Sequence, residues 1–288
     1  MKINKTIPQE HIYHYRLKTY HITPDLRLHS KTDAINFVNE RGYVFFWPIK
    51  GINMPSLWCA VAGDRPVPNN HDDPGHITWR WKDDLLGKKK WYYAKVLRRK
   101  STIISLELIP YFFALSQIVH DGLDKITYLY QQGKITTEDK QIYSSIIISG
   151  PIDTITLRNQ FNFTTSTNAS RFNRALESLQ RDFRIVPSGI SQSGRWKYSY
   201  IYQTVQNVFP EIVEQSRRII KEDAFAKILY AFFRSNGTGT TKQIQRIFGW
   251  HKCDIQMAIN DLISTGEIIQ TLSSEREEKE IYTIPVLI

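Results

Sequence analysis

The clearest pattern in the chain is an apolar stripe at helical spacing: Phe172, Ala175, Leu176, Leu179 and Phe183. It predicts a helix over Ser166–Phe183 with one face in a core. Arg171, Arg174 and Arg181 fall on the opposite, solvent side. The residues that follow read as a hairpin: Arg184-Ile185-Val186-Pro187, a turn-rich Ser188–Gly194, then Arg195-Trp196-Lys197-Tyr198-Ser199-Tyr200. A helix with a basic outer face and a basic, aromatic hairpin is the pattern of a winged helix. Its helix can enter a major groove while the hairpin lies along phosphates.

Two shorter helices precede it. Thr136 caps one whose inward positions are Ile142, Ile146 and Ile147, closing at Gly150-Pro151, and Asp153 or Thr154 caps another that runs to Phe161. After a helical connector from Pro210 to Lys221 the order recurs. Helices are predicted over Glu222–Arg234, Thr241–Phe248 and His251–Ser264, with Asn236-Gly237 and Gly266 as stops. Glu267–Leu272 and Ile281–Ile284 would form the second hairpin around the acidic turn Ser273–Glu280. That hairpin carries five glutamates against Arg276 and Lys279, so phosphates should repel its tip. Nucleic-acid contact is therefore expected around Ser166–Tyr202, with the C-terminal unit mainly packing on its neighbours and Lys242, Arg246 and Lys252 adding a minor contact.

Upstream, residues up to His29 carry Pro8, Pro24 and Tyr13, Tyr15 and Tyr20, and read as a loosely helical arm. Ser30 caps a helix with Ala34, Phe37 and Val38 on one face and Gly42 as its stop. The apolar run Tyr43–Trp47 predicts a strand broken by Pro48. From Gly51 to Lys100 periodicity fails and turn residues dominate. Ser101–Leu108 then reads as a strand, and Pro110–Ser116 and Asp121–Gly133 as helices.

With 288 residues, 41% of them hydrophobic, the chain has room for two or three small domains. A net charge of +10 favours a polyanionic partner: DNA, RNA or an acidic membrane face. Lys82, Lys88, Lys89, Lys90, Lys95, Arg98, Arg99 and Lys100 stand against Asp83 and Asp84, interleaved with Trp79, Trp81, Trp91, Tyr92 and Tyr93. Cations that meet phosphates and rings that stack on bases suit a nucleic-acid groove, because so many tryptophans in a loop-rich stretch are costly to bury. Cys59 and Cys253 lack the spacing of a disulfide framework or a thiolate zinc site. Met1-Lys2-Ile3-Asn4-Lys5 leads into no apolar stretch, so neither a signal peptide nor a membrane span is expected, and the cytoplasm fits.

Chemistry is sparsely signalled. Gly237-Thr238-Gly239-Thr240-Thr241-Lys242 lacks the spacing of a phosphate-binding loop. His71, Asp72, Asp73 and His76 read as a turn rather than a metal site for want of a further spaced partner, and no cofactor is expected. Asp72 or Asp73 could serve as a base that activates water.

At Arg41-Gly42-Tyr43-Val44-Phe45-Phe46-Trp47-Pro48-Ile49, together with the tandem winged helices, the chain resembles the winged-helix DNA glycosylases of the AlkZ/YcaQ type. These bacterial enzymes excise alkylated bases and unhook interstrand crosslinks. Gly42–Trp58, His71–Gly75 and Trp81–Val96 make it most similar to the AlkZ-related members. The resemblance runs from about Ser30 onward and implies a mainly α fold with small β-hairpins (α+β). It also implies three winged-helix units, the first a degenerate one within Ser30–Leu115. The implied division is an arm (1–29), a first unit with a basic, aromatic insertion (30–133), a second unit (134–209), and a connector with the third unit (210–288).

The chain departs from that family where its chemistry resides. The family's glutamine or aspartate side chains that hold the attacking water match Phe45, Phe46 and Trp47, and a histidine has become Lys95. The resemblance thus implies a DNA-binding protein that recognises damaged or distorted duplex, with Phe45, Phe46, Trp47, Trp79 and Trp81 as candidates for base contact. Candidate DNA contacts are Arg171, Arg174, Arg181, Arg195, Lys197, Lys82, Lys88, Lys89, Lys90, Arg98 and Arg99. One alternative is an active glycosylase with a relocated site, in which Asp72 or Asp73 activates water or Lys95 attacks the sugar. The other is a transcription regulator. The expected partner is double-stranded DNA, alkylated or crosslinked, met by a monomer in the nucleoid and with no membrane involved.

Overall fold

A computed structural model describes residues 2–116, 122–163, 166–273 and 280–288. The chain opens with β1 (Lys2–Ile7) and α1 (Gln9–Thr19). A first run follows: α2 (Lys31–Arg41), β2 (Tyr43–Phe45), α3 (Leu57–Ala62), α4 (Ile77–Leu85), β3 (Tyr92–Lys95) and β4 (Ser101–Ile104). Helices α5 (Ile109–Leu115) and α6 (Leu123–Gln131) lead to a second run. It comprises α7 (Thr137–Ser149), β5 (Ile152–Asp153), α8 (Thr154–Gln160), α9 (Ser166–Arg181), β6 (Ile185–Ser191) and β7 (Ser199–Thr204). After α10 (Val205–Val208) and α11 (Pro210–Ser216) comes the third: α12 (Lys221–Asn236), β8 (Thr238–Gly239), α13 (Thr241–Phe248), α14 (Lys252–Ser264), β9 (Ile269–Ser273) and β10 (Glu280–Thr283).

Each run has the same order of helix, strand, two helices and two strands. In each antiparallel sheet the run's last strand lies between the other two: β2-β4-β3, β5-β7-β6 and β8-β10-β9. Local chemistry sets the boundaries. Ser30, Thr136 and Thr240 each accept the backbone N–H three residues on, while Asp33, Asp139 and Gln243 reach back to the cap residue's own N–H. Two orphan donors at each helix start are satisfied in this way. Gly42 ends α2 at φ 81°, a left-handed conformation in which a Cβ would be strained.

The first sheet is buried on both faces. Tyr43, Phe45, Tyr92, Ala94 and Ile104 turn toward a large core shared with α5, α12 and α14. Val44, Phe46, Trp91, Tyr93 and Ile103 turn toward Phe37, Val38, Leu57 and Trp81 of their own run. A strand buried on both sides reads as an unbroken apolar run rather than an alternation, which accounts for Tyr43–Phe46. The second run has its own core around Ile142, Leu157, Phe172 and Leu179.

Two expectations are corrected. The N-terminal residues are not a loose arm: β1 pairs in parallel with β9, and α1 is tied to α12 by hydrogen bonds from Tyr15 Oη to Arg234 O (2.6 Å) and from Arg16 Nε to Asn236 O (2.9 Å). Gly51–Lys100 is also more ordered than its turn residues suggest, because α3, α4 and β3 complete the first run there. The acidic tip of the last hairpin, residues 274–279, and the start of the helix expected from Asp121 lie outside the described residues.

Candidate nucleic-acid interface

The β3–β4 turn presents Arg98 and Arg99, both with left-handed backbones (φ 53° and 56°). Such conformations are uncommon for side chains of this size and concentrate at functional sites. Arg99 is the junction of three hollows. The first, of about 440 Å³, is lined by Trp47, Lys50, Lys95, Lys100 and Glu177. A second, of about 900 Å³, runs beside α9 and holds Arg171, Arg174, Glu138 and Asp139. The third, of about 610 Å³, reaches the third run through Arg98, Arg181, Asp182, Arg184 and Arg246.

Together they form a trough in which ten basic side chains (Lys50, Lys95, Arg98, Arg99, Lys100, Arg171, Arg174, Arg181, Arg184, Arg246) outnumber four acidic ones (Glu138, Asp139, Glu177, Asp182). Concave walls concentrate such a field. The arginines of the trough are not equivalent. Arg171 is exposed and only loosely paired with Glu138 at 3.7 Å, and Arg174 is exposed. Arg181 is gripped by Asp182 through two hydrogen bonds of 2.7 and 3.1 Å. Burial draws the Arg184 pKa down to about 10, and burial likewise raises that of Asp139.

Other cations of the sequence reading lie elsewhere. Lys88, Lys89 and Lys90 are exposed and follow Gly87, whose missing Cβ lets the turn close on Ser188 of β6; Lys89 pairs with Glu211 at 2.6 Å. Arg195 and Lys197 flank the β6–β7 tip, where Trp196 is 83% exposed with the Arg195 guanidinium 5.6 Å from its ring centre.

Lys82 is corrected outright, for it is fully buried. Its ammonium pairs with Asp83 at 2.6 Å and donates to Tyr198 Oη at 3.0 Å and Tyr200 Oη at 2.5 Å. It also faces the rings of Trp79 (4.5 Å), Tyr200 (4.8 Å) and Tyr93 (5.4 Å). Burial lowers its pKa, and Asp83 opposes that shift; burial raises those of Tyr198, Tyr200 and Tyr93. The box pins the β6–β7 hairpin onto α4.

The aromatic candidates divide. Phe45, Phe46 and Trp81 are core, as are Trp91, Tyr92 and Tyr93, so most of the ring-rich stretch is packing and not a stacking platform. Trp47 is half-buried in the wall of the first hollow and Trp79 is 40% exposed. The acids Asp72 and Asp73 line none of the three hollows. Asp73 accepts two hydrogen bonds from Arg65 and one from the Gly75 N–H at 2.8 Å, and the Arg65 guanidinium holds its pKa below the ordinary value. A carboxylate so held is a poor base.

Lys95 is placed where chemistry is possible. Its ammonium lies 2.6 Å from Glu177 Oε1, and its backbone N–H donates to Gln180 Oε1 at 3.2 Å, which fixes the end of β3 against α9. Glu177 was missed, although it continues the stripe Arg171, Arg174, Arg181 at helical spacing. Lys50 and Arg184 carried no pattern of their own. Among the described residues, no His, Cys, Asp or Glu side chains gather in threes as a metal site, and no helix is long and apolar enough to cross a membrane.

The sequence pattern of a family described as AlkZ related matches residues 28–249. Among solved structures, Streptomyces sahachiroi DNA glycosylase AlkZ is similar with a TM-score of 0.58 at 10% identity, over 99% of this chain and 71% of that one. That likeness shows a shared fold. No curated protein matches the chain.

Proposed function

The chain belongs to the AlkZ-related family, and on that premise we propose that it binds double-stranded DNA on a glycosylase-like scaffold and recognises damaged or distorted duplex. The observation that carries this reading is the basic trough that Arg99 joins from Trp47 to the outer face of α9. Its cations suit the phosphates of a duplex, and Trp47 offers a ring to a displaced base. The three runs of helix, strand, two helices and hairpin are read as three winged helices, with α9 as the groove-reading helix.

The water-holding polar side chains of the resembling glycosylases have no counterpart at Phe45 and Phe46, both of which are core. Their burial supports recognition without that hydrolytic chemistry. A titration against intact and alkylated duplex, with released base scored in the same tubes, tests it. Tighter binding to alkylated duplex without base release supports the reading. Base release would restore a glycosylase, and preference for one undamaged sequence would favour a transcription regulator.

A further inference from the structure

The first hollow holds a pair of groups that recognition alone does not use. Lys95 ends a strand and Glu177 sits on a helix, so both are carried by rigid elements, and their side chains meet at 2.6 Å. Gln180 locks the two elements together: its carbonyl receives the Lys95 N–H, and its amide donates to Leu176 O at 3.0 Å. Both side chains remain partly exposed to the cavity, at 40% and 27%. A primary amine beside a carboxylate that can take and return its proton is the pairing required for imine chemistry.

The surrounding charge selects the substrate. Lys50, Arg99 and Lys100 line the same cavity. Excision of a base builds positive charge on the sugar, which these cations oppose. An abasic sugar instead offers a neutral aldehyde, and its 3′-phosphate departs as an anion, which they stabilise. A hollow of about 440 Å³ walled by Trp47 has room for the sugar.

We propose that Lys95 and Glu177 form an abasic-site lyase centre that acts on the ring-opened 2-deoxyribose of duplex DNA; this rests on the DNA-binding reading above. Lys95 Nζ passes one proton to Glu177 and attacks C1′; the carbonyl π bond opens, and its oxygen takes a second proton from the nitrogen to become a hydroxyl. Glu177 returns the proton to that hydroxyl, which leaves as water, and a protonated imine joins Lys95 to C1′. The Glu177 carboxylate then removes a C2′ proton. The C2′–C3′ double bond forms, the C3′–O bond breaks and the 3′-phosphate leaves with the electron pair and takes the proton from Glu177. Water then hydrolyses the imine, which frees the unsaturated aldehyde and returns the Lys95 ammonium. No oxidant, reductant or metal enters the balance.

The test uses the full chain and a duplex with one abasic site, with affinity and borohydride-trapped adduct measured in parallel. The wild type should bind and trap. Lys95→Arg, which keeps the cation, and Lys95→Ala should both lose the adduct when it is scored per bound duplex. Glu177→Gln, which removes a negative charge from the trough, should bind no more weakly than the wild type and slow trapping by about a hundredfold. Binding without an adduct overturns the lyase proposal and leaves the DNA reading intact. An adduct that survives in both Lys95 variants also overturns it, for it marks adventitious attack by other surface lysines. Absence of binding overturns both readings.

Discussion

Lys82 Nζ on α4 donates to Tyr198 Oη at 3.0 Å, across 116 residues of chain. With Asp83, Tyr200 and the rings of Trp79 and Tyr93, this bond fixes where the β6–β7 hairpin lies, and so where its Trp196 tip points. Removal of one partner of a buried, hydrogen-bonded pair leaves the other uncompensated. Lys82→Ala should therefore cost about 3 kcal/mol of stability, and Tyr200→Phe about 1 kcal/mol, in denaturant unfolding followed by tryptophan fluorescence. Losses under about 0.5 kcal/mol in both would mean that the box does not hold the hairpin.

Trp196 is 83% exposed, so its removal should leave stability unchanged. A large ring held out between Arg195 and Lys197 is suited to stack on an unpaired base. Trp196→Ala should weaken binding to a distorted duplex by about 1–3 kcal/mol, read by fluorescence titration. An unaltered affinity for distorted duplex would exclude the hairpin tip from recognition.

Phe45, the last residue of β2, and Phe46, which follows it, fill two different cores. Phe46→Ala should cost about 3–5 kcal/mol, seen as a lowered denaturant midpoint. If the variant kept wild-type stability, the ring would instead belong to an open pocket.

The pattern of the sequence was a good guide to helices and a poor one to the uses of individual rings and charges. Helices with capping residues, such as those begun by Ser30 and Thr136, were legible because the cap lies three residues from its partner. The role of Lys82 was not, since Tyr198 and Tyr200 approach it only through the tertiary fold. The apolar run Tyr43–Trp47 was legible as a strand, which the structure confines to Tyr43–Phe45, yet its burial on both faces depends on α5 and α12 far along the chain. β1 was missed for the same reason, because its partner strand begins at Ile269. Glu177 was within reach, on the very stripe that exposed Arg171 and Arg174.

His21 packs against Phe37 with ring centres 4.9 Å apart. Burial lowers its pKa, and Glu40 at 3.9 Å opposes the shift in part. The unfolded chain therefore takes up the proton first as pH falls. The stability that neutral His21 contributes is full above its unfolded value of about 6.5 and is lost as pH drops through the lower folded one. His21→Asn, which tolerates the left-handed backbone at φ 56°, should flatten the decline in urea midpoint between about pH 7 and pH 5. Identical declines in the two proteins would place the acid sensitivity elsewhere.

The most direct measurement is the salt dependence of duplex affinity for the wild type and for Arg99→Ala, Arg171→Ala, Arg174→Ala and Arg181→Ala. Loss of a phosphate contact lowers the slope of log affinity against log salt by about 1. The trough predicts that reduction, with weaker binding, for Arg99, Arg171 and Arg174, and a smaller one for Arg181, which Asp182 already holds. Wild-type slopes and affinities in all four variants would contradict the account.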